Sequence, residues 1–160
     1  MKANFRFSTL LILSAVCFLS CENKSQTNDH IIAIDLTEDR FQGISISTFK
    51  KLSALTKNSM NGESTRLVPI TELGFNKTYD ISIQKDTSLL MGNDYERTDL
   101  VNGYFAQVDT SLKLLMRDKH DRTGSVIFKV LAEELKKLSD SKADFRTAIF
   151  STDLMENSFI

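Results

Sequence analysis

The chain has 160 residues, 41% of them hydrophobic and 26% charged, with a formal net charge of −1. That is room for one domain with a sizeable core and the composition of an ordinary globular protein. The lack of a basic surplus argues against a nucleic-acid partner, and the only two cysteines, Cys17 and Cys21, leave the 139 residues after Cys21 without a disulfide, a thiol nucleophile or a cysteine metal cluster.

Lys2 and Arg6 make the amino end positive, and Thr9 to Leu19 is a mostly apolar run. Its length suits the core of an export signal. It is short of the roughly 20 apolar residues that a spanning helix needs. The run closes on Phe18-Leu19-Ser20-Cys21. This resembles the lipobox of bacterial lipoproteins: a bulky apolar residue, a variable one, a small one, then cysteine. The resemblance implies that residues 1–20 are a cleaved signal peptide. It also implies that Cys21 begins the mature chain and carries a diacylglyceryl group, with a third, palmitate-like acyl chain on its amine. Two or more chains give stable anchoring where one gives only marginal binding. The expected location is the bacterial cell envelope, with the membrane engaged through the lipid. A plain secretory signal with Cys21 incidental is the alternative. Without Lys2 and Arg6 the mature chain carries a net −3. Residues 22–30, ENKSQTNDH, have nothing apolar to pack, so 21–30 reads as a lipidated polar tether and 31–160 as the domain.

Ile31 to Leu36 is an apolar run interrupted only by Asp35, the pattern of a strand covered on both faces. Residues 37–43 read as a loop. Ile46, Phe49, Leu52 and Leu55 form a helical stripe ending near Asn61-Gly62. Arg66 to Leu73 reads as a second strand. Tyr79 to Gln84 alternates apolar and polar as a half-exposed third, and the short link between the two predicts an antiparallel hairpin.

A long stripe from Leu100 to Leu115 predicts a helix over about 95–117, followed by a charged loop at 117–122. Ser125 suits the cap of another helix, with Val126, Ile127, Val130, Leu131, Leu135 and Leu138 inward. Glu133, Glu134, Lys136 and Lys137 read as its solvated face. Arg146 to Ser151 is a second buried-type strand, with Asp153 just past its end. Strands separated by helices predict an α/β domain of three layers, with a largely parallel sheet and an antiparallel edge strand.

Two segments resemble the von Willebrand factor type A domain. Ile31-Ile32-Ala33-Ile34-Asp35-Leu36-Thr37-Glu38-Asp39 looks like that family's opening strand and Asp-x-Ser-x-Ser loop. Ala148-Ile149-Phe150-Ser151-Thr152-Asp153 looks like its later strand ending in Thr-Asp. The coarse order of elements is similar over about 31–158. The resemblance implies a divalent cation, Mg²⁺ or Mn²⁺, held by loops at the carboxyl ends of the strands. Asp35 matches the first aspartate, Thr37 the first hydroxyl and Asp153 the later aspartate. Asp39 stands where the second serine would be, and Thr123 or Ser125 takes the place of the distant threonine. Hard cations want oxygen ligands of these types, and the carboxyl end of a parallel sheet is where α/β folds place ligands. Capping roles for Thr37, Asp39, Ser125 and Asp153 are the structural alternative. The family continues with a further helix and strand, so the resemblance also implies a C-terminally short version with one sheet edge uncovered.

The family resemblance implies binding of a protein partner, in a metal-dependent way, and no catalysis. The acidic cluster leaves open a magnesium-dependent phosphoryl-transfer enzyme, although no Gly-rich phosphate loop or placed histidine base supports it. A structural lipoprotein with a vestigial site is the third reading. His30 falls in the tether and His120 in the charged loop, a spacing that predicts no zinc site.

Overall fold

The computed structural model describes residues 25–36, 44–57, 59–71, 77–86, 94–117 and 126–152. In chain order the elements are β1 (Thr27–Asp35), α1 (Ile46–Leu52), β2 (Gly62–Ile70), β3 (Tyr79–Ile83), α2 (Asp94–Arg117), α3 (Ile127–Asp140) and β4 (Phe145–Ser151). The four strands form one sheet in the order β3-β2-β1-β4. β1 runs parallel to β2, Thr27 opposite Gly62 and Asp35 opposite Ile70. It also runs parallel to β4, Asn28 opposite Phe145 and Ile34 opposite Ser151. β2 and β3 are antiparallel, as the short link between them predicts.

Alternation along β1 sorts its side chains onto two faces. Ile32 and Ile34 join Leu67 of β2 against Phe49 of α1 and Val101, Tyr104, Phe105 and Val108 of α2. Ile31 and Ala33 join Val68 and Ile70 against Ile127 and Leu138 of α3. Helices therefore cover both faces, and the continuous apolar run of β1 follows from being buried on each. The architecture is α/β in three layers, with a mixed sheet whose one antiparallel strand, β3, lies at an edge.

Pro69 lies in a strand with neighbours on both sides, where a missing N–H would normally break a ladder. β3 pairs only as far as Leu67 opposite Tyr79. Pro69 therefore sits beyond that ladder, where β2 is paired with β1 alone among the described residues.

The elements depart from the sequence expectation in five places. β1 begins at Thr27, so Thr27 to His30 belong to the sheet and not to the tether. Asn28 and His30 are buried because they extend the inward face of Ile32 and Ile34. α1 stops at Leu52, where Ser53 turns extended, although Leu55 stays buried outside the helix. β2 begins at Gly62 and ends at Ile70, earlier than the apolar pattern suggests. The residue before α3 is Val126, which makes no side-chain cap. Finally, β4 is half-buried because it lies at a sheet edge.

Glu134 also departs from expectation: it is buried rather than solvated. Its Oε2 lies 3.0 Å from Nε of Arg66 on β2, and its Oε1 lies 2.5 Å from Nζ of Lys137. A carboxylate taken from water needs such partners.

Candidate functional site

β1, β2 and β4 point the same way, so their carboxyl ends form one rim. Leu36 N donates to Ile70 O at 3.3 Å, which holds the ends of β1 and β2 together. Val126 N donates to Thr71 O at 3.3 Å, which brings the start of α3 to the same rim. On the other side, Thr152 Oγ1 donates to Asp35 Oδ2 at 3.2 Å across 117 positions of chain. Asp35 and Thr71 are both almost fully buried.

From β1 the chain moves outward to β2 and β3, then returns to the opposite side of β1 as β4. Asp35 and Thr152 stand at the carboxyl ends of the adjacent parallel strands β1 and β4, the end of the sheet where α/β folds usually place ligands.

Of the predicted metal ligands, Asp35 is placed at this rim. Thr37, Asp39, Thr123, Ser125 and Asp153 lie outside the described residues, as does Cys21. The segments carrying those five join the described chain at Leu36, Val126 and Thr152, all three at the rim. Thr152 was not among the ligands that the sequence suggested. The signal was available, because Ser151-Thr152-Asp153 offers two hydroxyls beside the aspartate at the strand end.

A carboxylate and a hydroxyl are oxygen donors of the kind hard divalent cations take. Asp35 and Thr152 fit such an ion as part of a larger ligand set. Among the described residues no group of three or more His, Cys, Asp or Glu side chains is placed to hold a metal.

A second polar cluster lies inside the layer between the sheet and α2. Glu63 accepts from Ser53 Oγ at 2.8 Å and from Tyr104 OH at 3.0 Å. Thr65 Oγ1 lies 2.5 Å from the same phenol oxygen. His30 Nε2 is 3.5 Å from Glu63 Oε2, and its ring stands edge-on to Phe49 at 5.7 Å. Burial, then the charge of Glu63, pushes the Tyr104 phenol well above its ordinary range, and the Thr65 hydrogen bond opposes the shift. His30, Glu63, Thr65 and Tyr104 are buried and Ser53 is half-buried, and the cluster joins β1, β2 and α2. Sequence reading missed it because His30 appeared to precede the first strand.

At the amino end of β2, Arg97 of α2 fills a third position that the sequence did not single out. Its Nε donates to Ser59 O at 2.7 Å, Nη1 to Gln84 O at 2.9 Å and Nη2 to Asn61 O at 2.5 Å. Burial lowers the guanidinium pKa, and Asp86 nearby raises it. Arg97 is thus a clamp on the loops at that end of the β2–β3 pair.

No described helix is long and apolar enough to cross a membrane. No protein-family model matches the chain, and neither the curated proteins nor the solved structures give a match.

Proposed function

We propose that this is an envelope lipoprotein anchored through Cys21, with a von Willebrand factor A-like domain that binds another protein. The binding surface in this reading is the carboxyl rim, with Mg²⁺ or Mn²⁺ held by Asp35, Thr152 and the loops bearing Thr37, Asp39, Thr123, Ser125 and Asp153. The observation that supports it is the Thr152–Asp35 hydrogen bond between the carboxyl ends of β4 and β1. It draws together the two strand ends that carry the resemblance.

The rim lies at the end of β1 opposite the one at which the chain enters the strand. Cys21 precedes Thr27, whereas Asp35 closes the strand. Eight residue rises separate the two ends of the strand by about 26 Å. In this reading the lipid-bearing segment joins the domain at the end of β1 away from the rim. A bound cation would supply positive charge there, to which a partner's carboxylate could attach.

The test is calorimetric titration of the full chain with MgCl2 and MnCl2, repeated on Asp35→Asn. Binding to the parent chain that is lost in the variant supports the reading. Absence of heat and of thermal shift with either metal overturns the metal-dependent mode.

A further inference from the structure

We infer that Asn61 is a self-modification site: its side-chain amide is exchanged for a carboxylate when the corner between Gln26 and Gly62 opens, and the fold sets the rate. The sequence holds two Asn-Gly pairs, Asn61-Gly62 and Asn102-Gly103. In such a pair the second residue has no Cβ to keep its backbone nitrogen away from the asparagine Cγ.

At the first pair, one residue holds both reacting groups. Gly62 N donates to Gln26 O at 2.8 Å, and Gln26 N donates to Asn61 Oδ1 at 2.9 Å. Asn61 N donates to Ser59 Oγ at 3.2 Å, and Asn61 O accepts from Arg97 Nη2. Gly62 is buried and Asn61 half-buried. Beyond Gln26, Asp144 Oδ2 accepts from Thr27 N at 2.8 Å and from Thr27 Oγ1 at 3.0 Å. Arg97 and Asp144 thus hold the corner from its two sides.

The reaction needs only water and hydroxide. Gly62 N gives its proton to hydroxide and attacks Asn61 Cγ. The adduct takes up a proton and expels ammonia, which closes a cyclic imide. Water then adds to one of the two imide carbonyls and breaks that carbon's bond to nitrogen. Opening at Cγ gives aspartate, and opening at the main-chain carbonyl gives isoaspartate. The donor on Asn61 Oδ1 favours attack, because that oxygen gains negative charge in the adduct. The bond from Gly62 N withholds it, since an amide proton held in this way is released only on opening. The corner is polarised for the reaction and latched against it.

Isoaspartate lengthens the backbone by one carbon where the chain is already close to β3. A Cβ at Gly62 would meet Lys85 N at 2.8 Å. The lengthened chain therefore does not reclose the corner, and the change is one-way. Asn102 is exposed inside α2, where the helix ladder holds Gly103 N. Its reaction follows the opening of α2 and not of this corner, so it serves as an internal reference.

Peptide mass mapping of the full chain in detergent, incubated in heavy-oxygen water at mildly alkaline pH, tests this. Label entering residue 61 reports hydrolysis during the incubation. Asn61 is expected to convert about a hundredfold more slowly in the folded chain than in concentrated urea. The slowing should equal the hydrogen-exchange protection of the Gly62 amide, because one opening releases both. Arg97→Met and Asp144→Ala are each expected to speed Asn61 by about tenfold and to leave Asn102 unchanged. Equal rates at Asn61 with and without urea overturn the inference. So does a slowing that departs from the Gly62 protection by more than about tenfold. Variants that speed neither site, or both alike as global unfolding would, overturn it as well.

Discussion

Tyr104 donates its phenolic hydrogen to Oε1 of Glu63 at 3.0 Å, inside the layer between the sheet and α2. The phenol is closed off from water and faces a carboxylate, so its proton is held far more tightly than in an open chain. The unfolded chain releases that proton near the ordinary value of 10.0. Above that pH the unfolded state binds fewer protons than the folded one, and stability falls as pH rises. The expected slope is about −1.4 kcal/mol per pH unit from this one group. Urea unfolding across pH 9 to 11.5 checks it, with Tyr104→Phe as the control that flattens the slope. At neutral pH the same variant loses about 1–3 kcal/mol, because Glu63 loses a donor while buried.

Arg97 satisfies three backbone carbonyls from two loops with one rigid fork. Arg97→Met leaves those acceptors without it and is expected to cost about 3 kcal/mol. Arg97→Lys recovers little of this, since an ammonium cannot reproduce the planar geometry. Chemical denaturation measures both. Hydrogen exchange then shows whether the loss concentrates in β2 and β3.

The glycines at 62 and 103 predict opposite outcomes. A Cβ at Gly62 would sit 2.8 Å from Lys85 N and 3.3 Å from Ile83 O, both backbone atoms just past and at the end of β3. Gly62→Ala therefore forces the strands apart, at about 1–3 kcal/mol. Gly103 lies inside α2 with nothing within 4 Å of the same position. Gly103→Ala is expected to stabilise by about 0.5–1 kcal/mol. Thermal melts of the two variants should move in opposite directions.

For the anchor, Cys21→Ser is expected to abolish incorporation of labelled fatty acid and to move the protein out of the membrane fraction. Unchanged labelling would reject Cys21 as the lipidation site. The variant leaves Thr27 to Thr152 unaltered, so its melting curve in detergent should match that of the parent.

For the rim, Thr152→Val removes the hydroxyl that meets Asp35. If a cation is held there, its affinity should drop by about tenfold or more while the fold persists. Competition titration against the parent chain checks this. Equal affinities would exclude Thr152 from the site.

The layered α/β plan was legible because periodicity reports burial: β1 reads as an apolar run since helices cover both faces, and β3 alternates since one face is open. The stripe from Val101 to Leu115 marks α2 for the same reason. Asp35 could be picked out as a polar residue at the end of a buried strand. Its meeting with Thr152 could not, because the pairing of β1 with β4 is set by tertiary packing over more than a hundred residues.

Local signals put His30 in the tether and Glu134 on a solvated face, and they did not single out Glu63, Arg97 or the phenol of Tyr104. Each is a polar residue made safe to bury by a partner distant in sequence, and sequence alone lists residues without their partners. The chain by itself determined where strands and helices form, because those follow from short-range alternation of apolar and polar side chains. Only the tertiary structure decided the strand order, the rim where Asp35 meets Thr152 and the buried polar contacts, because long-range pairing energies settle them.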